Sequence, residues 1–162
     1  MKKLLFAAIG LGTVIAGCTP PTSESTIVRY SAPAKWDDVR DDLKIAIANK
    51  GLLVEYTSHI HNMLARTKKD VGGKKDIFES AETFVFCSAV VSRHTMEADA
   101  NNIAFCPYAI AVYTTKDDPK IVNVSYRRPV RPDSSEASIK ALKEVETLLD
   151  GIAKEALGIA NP

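Results

Sequence analysis

Three cysteines, three histidines and one tryptophan are all that 162 residues contain of those types, and no two cysteines stand in C-x-x-C spacing. That removes the signature of thioredoxin-like redox centres and of tight metal-ligand pairs. Positive charge is nowhere gathered into a block, so there is no electrostatic footprint for nucleic acid. No G-x-S-x-G elbow, P-loop or G-x-G-x-x-G occurs, which leaves serine nucleophiles and nucleotide phosphates without their usual frames. No internal repeat of useful length is present, and beyond residue 18 no apolar run approaches the length that spans a bilayer.

What is present begins at the N-terminus. Met1–Lys3 is basic, the 13 residues Leu4–Ala16 are almost wholly apolar, and Ile15-Ala16-Gly17-Cys18 closes the run with small residues before a cysteine. A basic n-region, an apolar h-region and a small-residue junction predict a secretory signal peptide. Thirteen helical residues reach only about 20 Å of a roughly 30 Å hydrocarbon core, which disfavours a retained span. The I-A-G-C junction resembles the lipobox of bacterial lipoproteins, which implies cleavage after Gly17 and acylation of Cys18. Residues 1–17 are therefore read as a signal peptide, 18–25 as a lipidated terminus and tether, and 26–162 as one domain. Removing 1–17 takes away Lys2 and Lys3 and no acid, leaving 19 basic against 20 acidic side chains, formally −1. The expected address is the cell envelope outside the cytoplasm, held to the membrane through lipid; Thr19 after Cys18 fits the outer membrane if the cell is Gram-negative.

Hydrophobic periodicity orders the rest. Thr26–Tyr30 alternates as a strand, and Trp36, Val39, Leu43 and Ile47 then recur at helical spacing, with Gly51 placed to end the helix. Leu52–Tyr56 reads as a strand, Ser58 as the cap of a short helix through Ile60, Met63 and Leu64, and Lys68–Asp76 as a charged loop. Thr83–Cys87 reads as a buried strand, and Ser88 as the cap of a helix to Asp99 with Val91 and Met96 inward. Tyr108–Tyr113 and Ile121–Arg127, separated by the turn residues Asp117-Asp118-Pro119, predict a hairpin. A last helix from Ser134 or Ser135 carries the stripe Ile139, Leu142, Val145, Leu149, Ile152 and Ala156. The order β-α-β-α-β-α-β-β-α predicts an α+β domain with a mostly antiparallel sheet and helices packed on it.

With these elements placed, Leu43 to Pro129 resembles the DUF302 family, of the TT1751-like fold. The likeness rests on Asn49-Lys50-Gly51-Leu52, on Ser58 to Leu64, and on Ala81-Glu82 through Phe86-Cys87-Ser88. It continues with Met96-Glu97-Ala98-Asp99, Ile103 to Tyr108 and Ala111-Val112-Tyr113. The resemblance implies a compact α+β domain that is often a homodimer, and it implies no established reaction.

Cys87 and Cys106 are an even pair at an oxidising address, so a disulfide worth about 3 kcal/mol is the default expectation. Buried free thiols, a redox-active pair, and a metal site built from Cys87, His94 and Cys106 are the alternatives. His59-x-His61 at a helix start does not share a face. Arg127, Arg128 and Arg131 form a candidate anion or headgroup patch, set against a plain solvated strand end. Glu97 with Asp99 and Asp117 with Asp118 read as a helix end and a turn, and Gly72-Gly73 as a surface loop. Two functions are carried forward: a lipid-anchored envelope binding or accessory module of unknown ligand, with a possible envelope partner and no required cofactor, and an envelope thiol-redox or metal-handling protein using Cys87 and Cys106.

Overall fold

A computed structural model describes residues 25–160; the expected signal peptide, Cys18 and all but the last residue of the expected tether lie outside them. The chain runs β1 (Ile27–Pro33), α1 (Trp36–Asn49), β2 (Val54–Ser58), α2 (Ile60–Thr67) and β3 (Phe78–Phe86). It continues with α3 (Ala89–Ala98), a 3₁₀ helix (Ala100–Phe105), β4 (Tyr108–Thr115), β5 (Ile121–Arg127) and α4 (Glu136–Ala156). This is the expected α+β order with one 3₁₀ segment added. Five strands form a single sheet in the order β1-β5-β4-β3-β2, and every pairing is antiparallel.

Alternation along the strands decides which face is covered. Phe84 and Phe86 of β3, Tyr108, Ile110 and Val112 of β4, and Val122, Val124 and Tyr126 of β5 point to one side and are buried. Val39, Leu43 and Ile47 of α1 and Val145, Leu149 and Ile152 of α4 close over them as one core. The opposite face carries Ala81, Thr83 and Val85, Ala109, Ala111 and Tyr113, and Asn123 and Ser125. Ala81 and Asn123 are buried, most of the others are half-exposed, and none belongs to the core.

Helix ends follow local chemistry. Asp37 and Asp38 occupy the first turn of α1, where the macrodipole favours negative charge. At its other end Gly51 N–H bonds Ala48 O at 2.8 Å and Leu52 N–H bonds Ile47 O at 3.3 Å, with Gly51 at φ +71. That is a Schellman closure, which the left-handed residue makes possible. The Oγ of Ser88 accepts from Val91 N–H, and that of Ser135 from Ser138 N–H, as the N-caps of α3 and α4.

Several expectations are corrected. Ser58 ends β2, paired with Thr83, so His59 takes the cap position of α2 and no side chain caps it. β3 begins five residues before Thr83 because Phe78–Glu82 pairs with β4 through an irregularity at Phe78/Ser80. In α3 the buried residues are the polar Ser92 and Thr95, with Val91 and Met96 only half-buried. Ile139 is 47% exposed; Ser138 and Ala141 turn inward in its place.

Candidate functional site

The ladder between β3 and β4 ends at the pair Phe86–Tyr108, so the residues just beyond it meet at one end of the sheet. The chain leaves β3 through Cys87 into the cap of α3 and returns to β4 through the 3₁₀ helix and Cys106. The two Sγ atoms lie 2.7 Å apart. Ser92 Oγ stands beneath them, 3.9 Å from Cys87 Sγ and 3.7 Å from Cys106 Sγ, and 3.0 Å from Tyr108 Oη. Thr95 Oγ1 donates to the Ser92 carbonyl at 2.9 Å, fixing the turn that carries the serine.

Electrostatics set the reactivity of the reduced pair. Burial, followed by the hydrogen bond with Cys106, pushes the Cys87 thiol up to about 11, against a smaller opposing contribution from Ser92 Oγ. At neutral pH Cys87 is therefore a protonated thiol and a weak nucleophile. Burial likewise raises the Tyr108 phenol. Directly beside Cys106 a small cleft opens, walled by Phe105, Pro107 and Tyr108 on one side and by Val145 and Leu149 of α4 on the other, with Arg127 at its edge.

The sequence profile described as "Domain of unknown function DUF302" matches residues 28–156. The chain belongs to the DUF302 family. Among solved structures it is similar to one titled "Crystal structure of uncharacterized conserved protein DUF302 from Bacillus stearothermophilus", at TM-score 0.67 and 11% identity over 81% of this chain and 98% of that one. At that identity the likeness concerns the fold alone. No curated protein matches.

Of the candidate sites read from the sequence of this DUF302 chain, only the cysteine pair is assembled among the described residues. The set Cys87, His94 and Cys106 is not assembled: His94 Nδ1 lies 3.4 Å from Glu144 Oε2 at the surface. The reason is helical phase, since α3 starts two residues after Cys87 and His94 stands two positions from inward-facing Ser92. Among the described residues no group of three His, Cys, Asp or Glu side chains could hold a metal ion.

The arginines do not converge either. Arg128 is ion-paired with Glu146 at 2.8 Å. Arg131 Nη1 donates to Asp99 Oδ2 at 2.8 Å and to Asn102 Oδ1 at 2.9 Å. Asp99 is held below the ordinary carboxylate range by the Asn101 N–H and then by Arg131. Arg127 alone stays exposed. Gly72-Gly73 lies in the loop, where Lys68 pairs with Asp76 at 3.0 Å, and Asp118 N–H bonds Thr115 Oγ1 in the hairpin turn.

Three polar nodes, each with at least one buried member, have no counterpart in the sequence reading. Glu82, 7% exposed, meets His59 Nδ1 at 2.9 Å, and His61 Nδ1 lies against the Ala81 backbone. The His61 imidazole takes up backbone atoms of β3 that β2, having ended at Ser58, leaves without a ladder partner, while His59 meets the Glu82 carboxylate. Asn102, Ser138 and Arg131 form a second node. Tyr30, Tyr126 and Asp150 form the third. A carboxylate or amide inside an alternating strand (Glu82) or at a helical break (Asn102) is the only signal in the sequence for the first two; Asp150, within α4, gives none.

Proposed function

We propose that the protein is a lipid-anchored cell-envelope binding module that acts as a homodimer through the uncovered face of its sheet. The observation that carries this reading is that α1, α3 and α4 crowd one side of the sheet while Ala109, Ala111 and Ser125 stand on the other. An antiparallel sheet is stable with one face wet. Small side chains at the centre of that face, flanked by Tyr113 and Val85, suit the approach of a second sheet at about 10 Å. Five strands averaging about seven residues present roughly 500 Å² in projection, the order of one side of a standard interface. Two-fold pairing is the commonest closed assembly. Acylation of Cys18, with two or three chains, supplies stable attachment where one would not.

A thiol-redox reading is favoured by one observation, the contact between Cys87 and Cys106. The protonated state of the Cys87 thiol weighs against turnover and in favour of a structural pair.

Sedimentation equilibrium of the acyl-free chain beginning at Thr19 tests the assembly. A dimer mass in the micromolar range, reduced to a monomer by Ala111→Glu, is expected. A strictly monomeric mass well above that concentration overturns the dimer. Intact-mass analysis of the exported protein tests the anchor: a diacylglycerol-sized addition at Cys18 is expected, and an unmodified terminus downstream of it rejects the anchor.

A further inference from the structure

We infer that Cys87 and Cys106 close into a disulfide that latches the Ala104–Ala109 wall of the cleft to the end of β3. Both sulfurs sit just outside the last β3–β4 pair, so the strands have already brought the two backbones side by side. The sulfurs are 2.7 Å apart, and forming a bond of about 2.05 Å asks for only a small approach. Between them the chain leaves the sheet for α3 and the 3₁₀ helix. The bond therefore pins both ends of that excursion.

Cys106 lies behind the wall it would hold, joined through the backbone to lining residues on both sides. Ala104, Phe105, Pro107, Tyr108 and Ala109 line the cleft on either side of it in sequence. Ser92 Oγ lies in contact range of both sulfurs and of Tyr108 Oη, so one serine couples the sulfur pair to the cleft wall.

The chemistry is thiol–disulfide exchange with a small-molecule disulfide. One protein thiolate attacks the external disulfide, forming a mixed disulfide and expelling one external thiolate. The second protein thiolate attacks the mixed bond and expels the other. Two protein thiols have then lost two protons and two electrons, and the external disulfide has gained them as two thiols. In the reverse direction, attack at Cys106 Sγ must expel Cys87, whose high pKa makes it a slow leaving group. The β3–β4 ladder holds the two sulfurs in contact range after reduction as well, so re-closure is intramolecular and the bond acts as a latch rather than a catalytic shuttle.

The test uses the full mature chain equilibrated with oxidised glutathione, alkylated without reductant, digested and mapped by mass. A linked 87–106 peptide pair is expected, with no glutathione adduct. Reduction of the same sample should lower the thermal midpoint by roughly 10 °C. It should also speed amide hydrogen exchange across residues 88–109 while leaving α1 and β5 unchanged. Two freely alkylated cysteines, or a stable glutathione adduct on either, would overturn the disulfide. A linked pair whose reduction leaves exchange at 104–109 unchanged would overturn the latch. These readouts use the wild-type protein and do not depend on oligomeric mass, so they stand or fall separately from the dimer.

Discussion

Tyr30 and Asp150 lie 120 residues apart and meet through a 2.5 Å hydrogen bond from the phenol to the carboxylate. The contact ties the edge strand β1 to the last helix. Tyr126 donates to the same oxygen at 3.2 Å, and Lys154 Nζ holds the other at 2.8 Å. An edge strand has one ladder partner, so a side-chain tie to α4 supplies part of what a second strand would.

This tie predicts an acid-sensitive stability. Burial raises the Asp150 pKa, but bonds from Lys154, Tyr30 and Tyr126 outweigh it and bring the carboxyl below its ordinary value of 3.8. A group depressed in the folded state contributes its stability above the unfolded value and loses it as pH falls through the folded one. Denaturant midpoints should therefore fall below about pH 4. Asp150→Asn should cost about 1–2 kcal/mol at pH 7 and show a flatter acid profile than the parent. A parallel pH profile in the variant would reject the assignment.

Asn102 predicts a larger loss. It is 1% exposed; its Nδ2 donates to Thr95 O and Ser138 Oγ, both at 2.8 Å, and its Oδ1 accepts from Ser138 and Arg131. Asn102→Ala removes all four contacts and strands buried partners, at a cost of about 2–3 kcal/mol. Chemical denaturation should show an unchanged slope and a lower midpoint. Arg131→Ala should cost less, because its half-exposed position admits water.

Gly51 allows a smaller, cleaner test. A Cβ there would meet no atom within 4 Å, so only the φ of +71 opposes a side chain. Gly51→Ala should destabilise by about 1 kcal/mol, and Gly51→Asn by less, since asparagine tolerates the left-handed region. Equal losses for the two would point to something other than backbone conformation.

Much of this architecture is present in the one-dimensional pattern. The hairpin of β4 and β5 follows from alternation around Asp117-Asp118-Pro119, and α4 from a 3.6-residue stripe behind Ser135. Gly51 marks the end of α1. Each of these is a local property, decided by neighbours within a turn or a strand pair. The same holds for the N-terminal pattern ending at Cys18, which carries the expected address without reference to any fold.

What only the tertiary structure decided depends on contacts between distant segments. The strand order β1-β5-β4-β3-β2 places the first strand beside the last, and no local pattern encodes that. By sequence His94 was a candidate partner of Cys87 and Cys106, and the three arginines a candidate patch of their own. Helical phase and the carboxylates of Glu144, Glu146 and Asp99 drew His94, Arg128 and Arg131 away. Cys87 and Cys106 met because β3 and β4 pair up to Phe86 and Tyr108. Sequence composition supplied an even cysteine pair; the register of two antiparallel strands brought its sulfurs into contact, since only backbone pairing fixes where two chain segments end relative to each other.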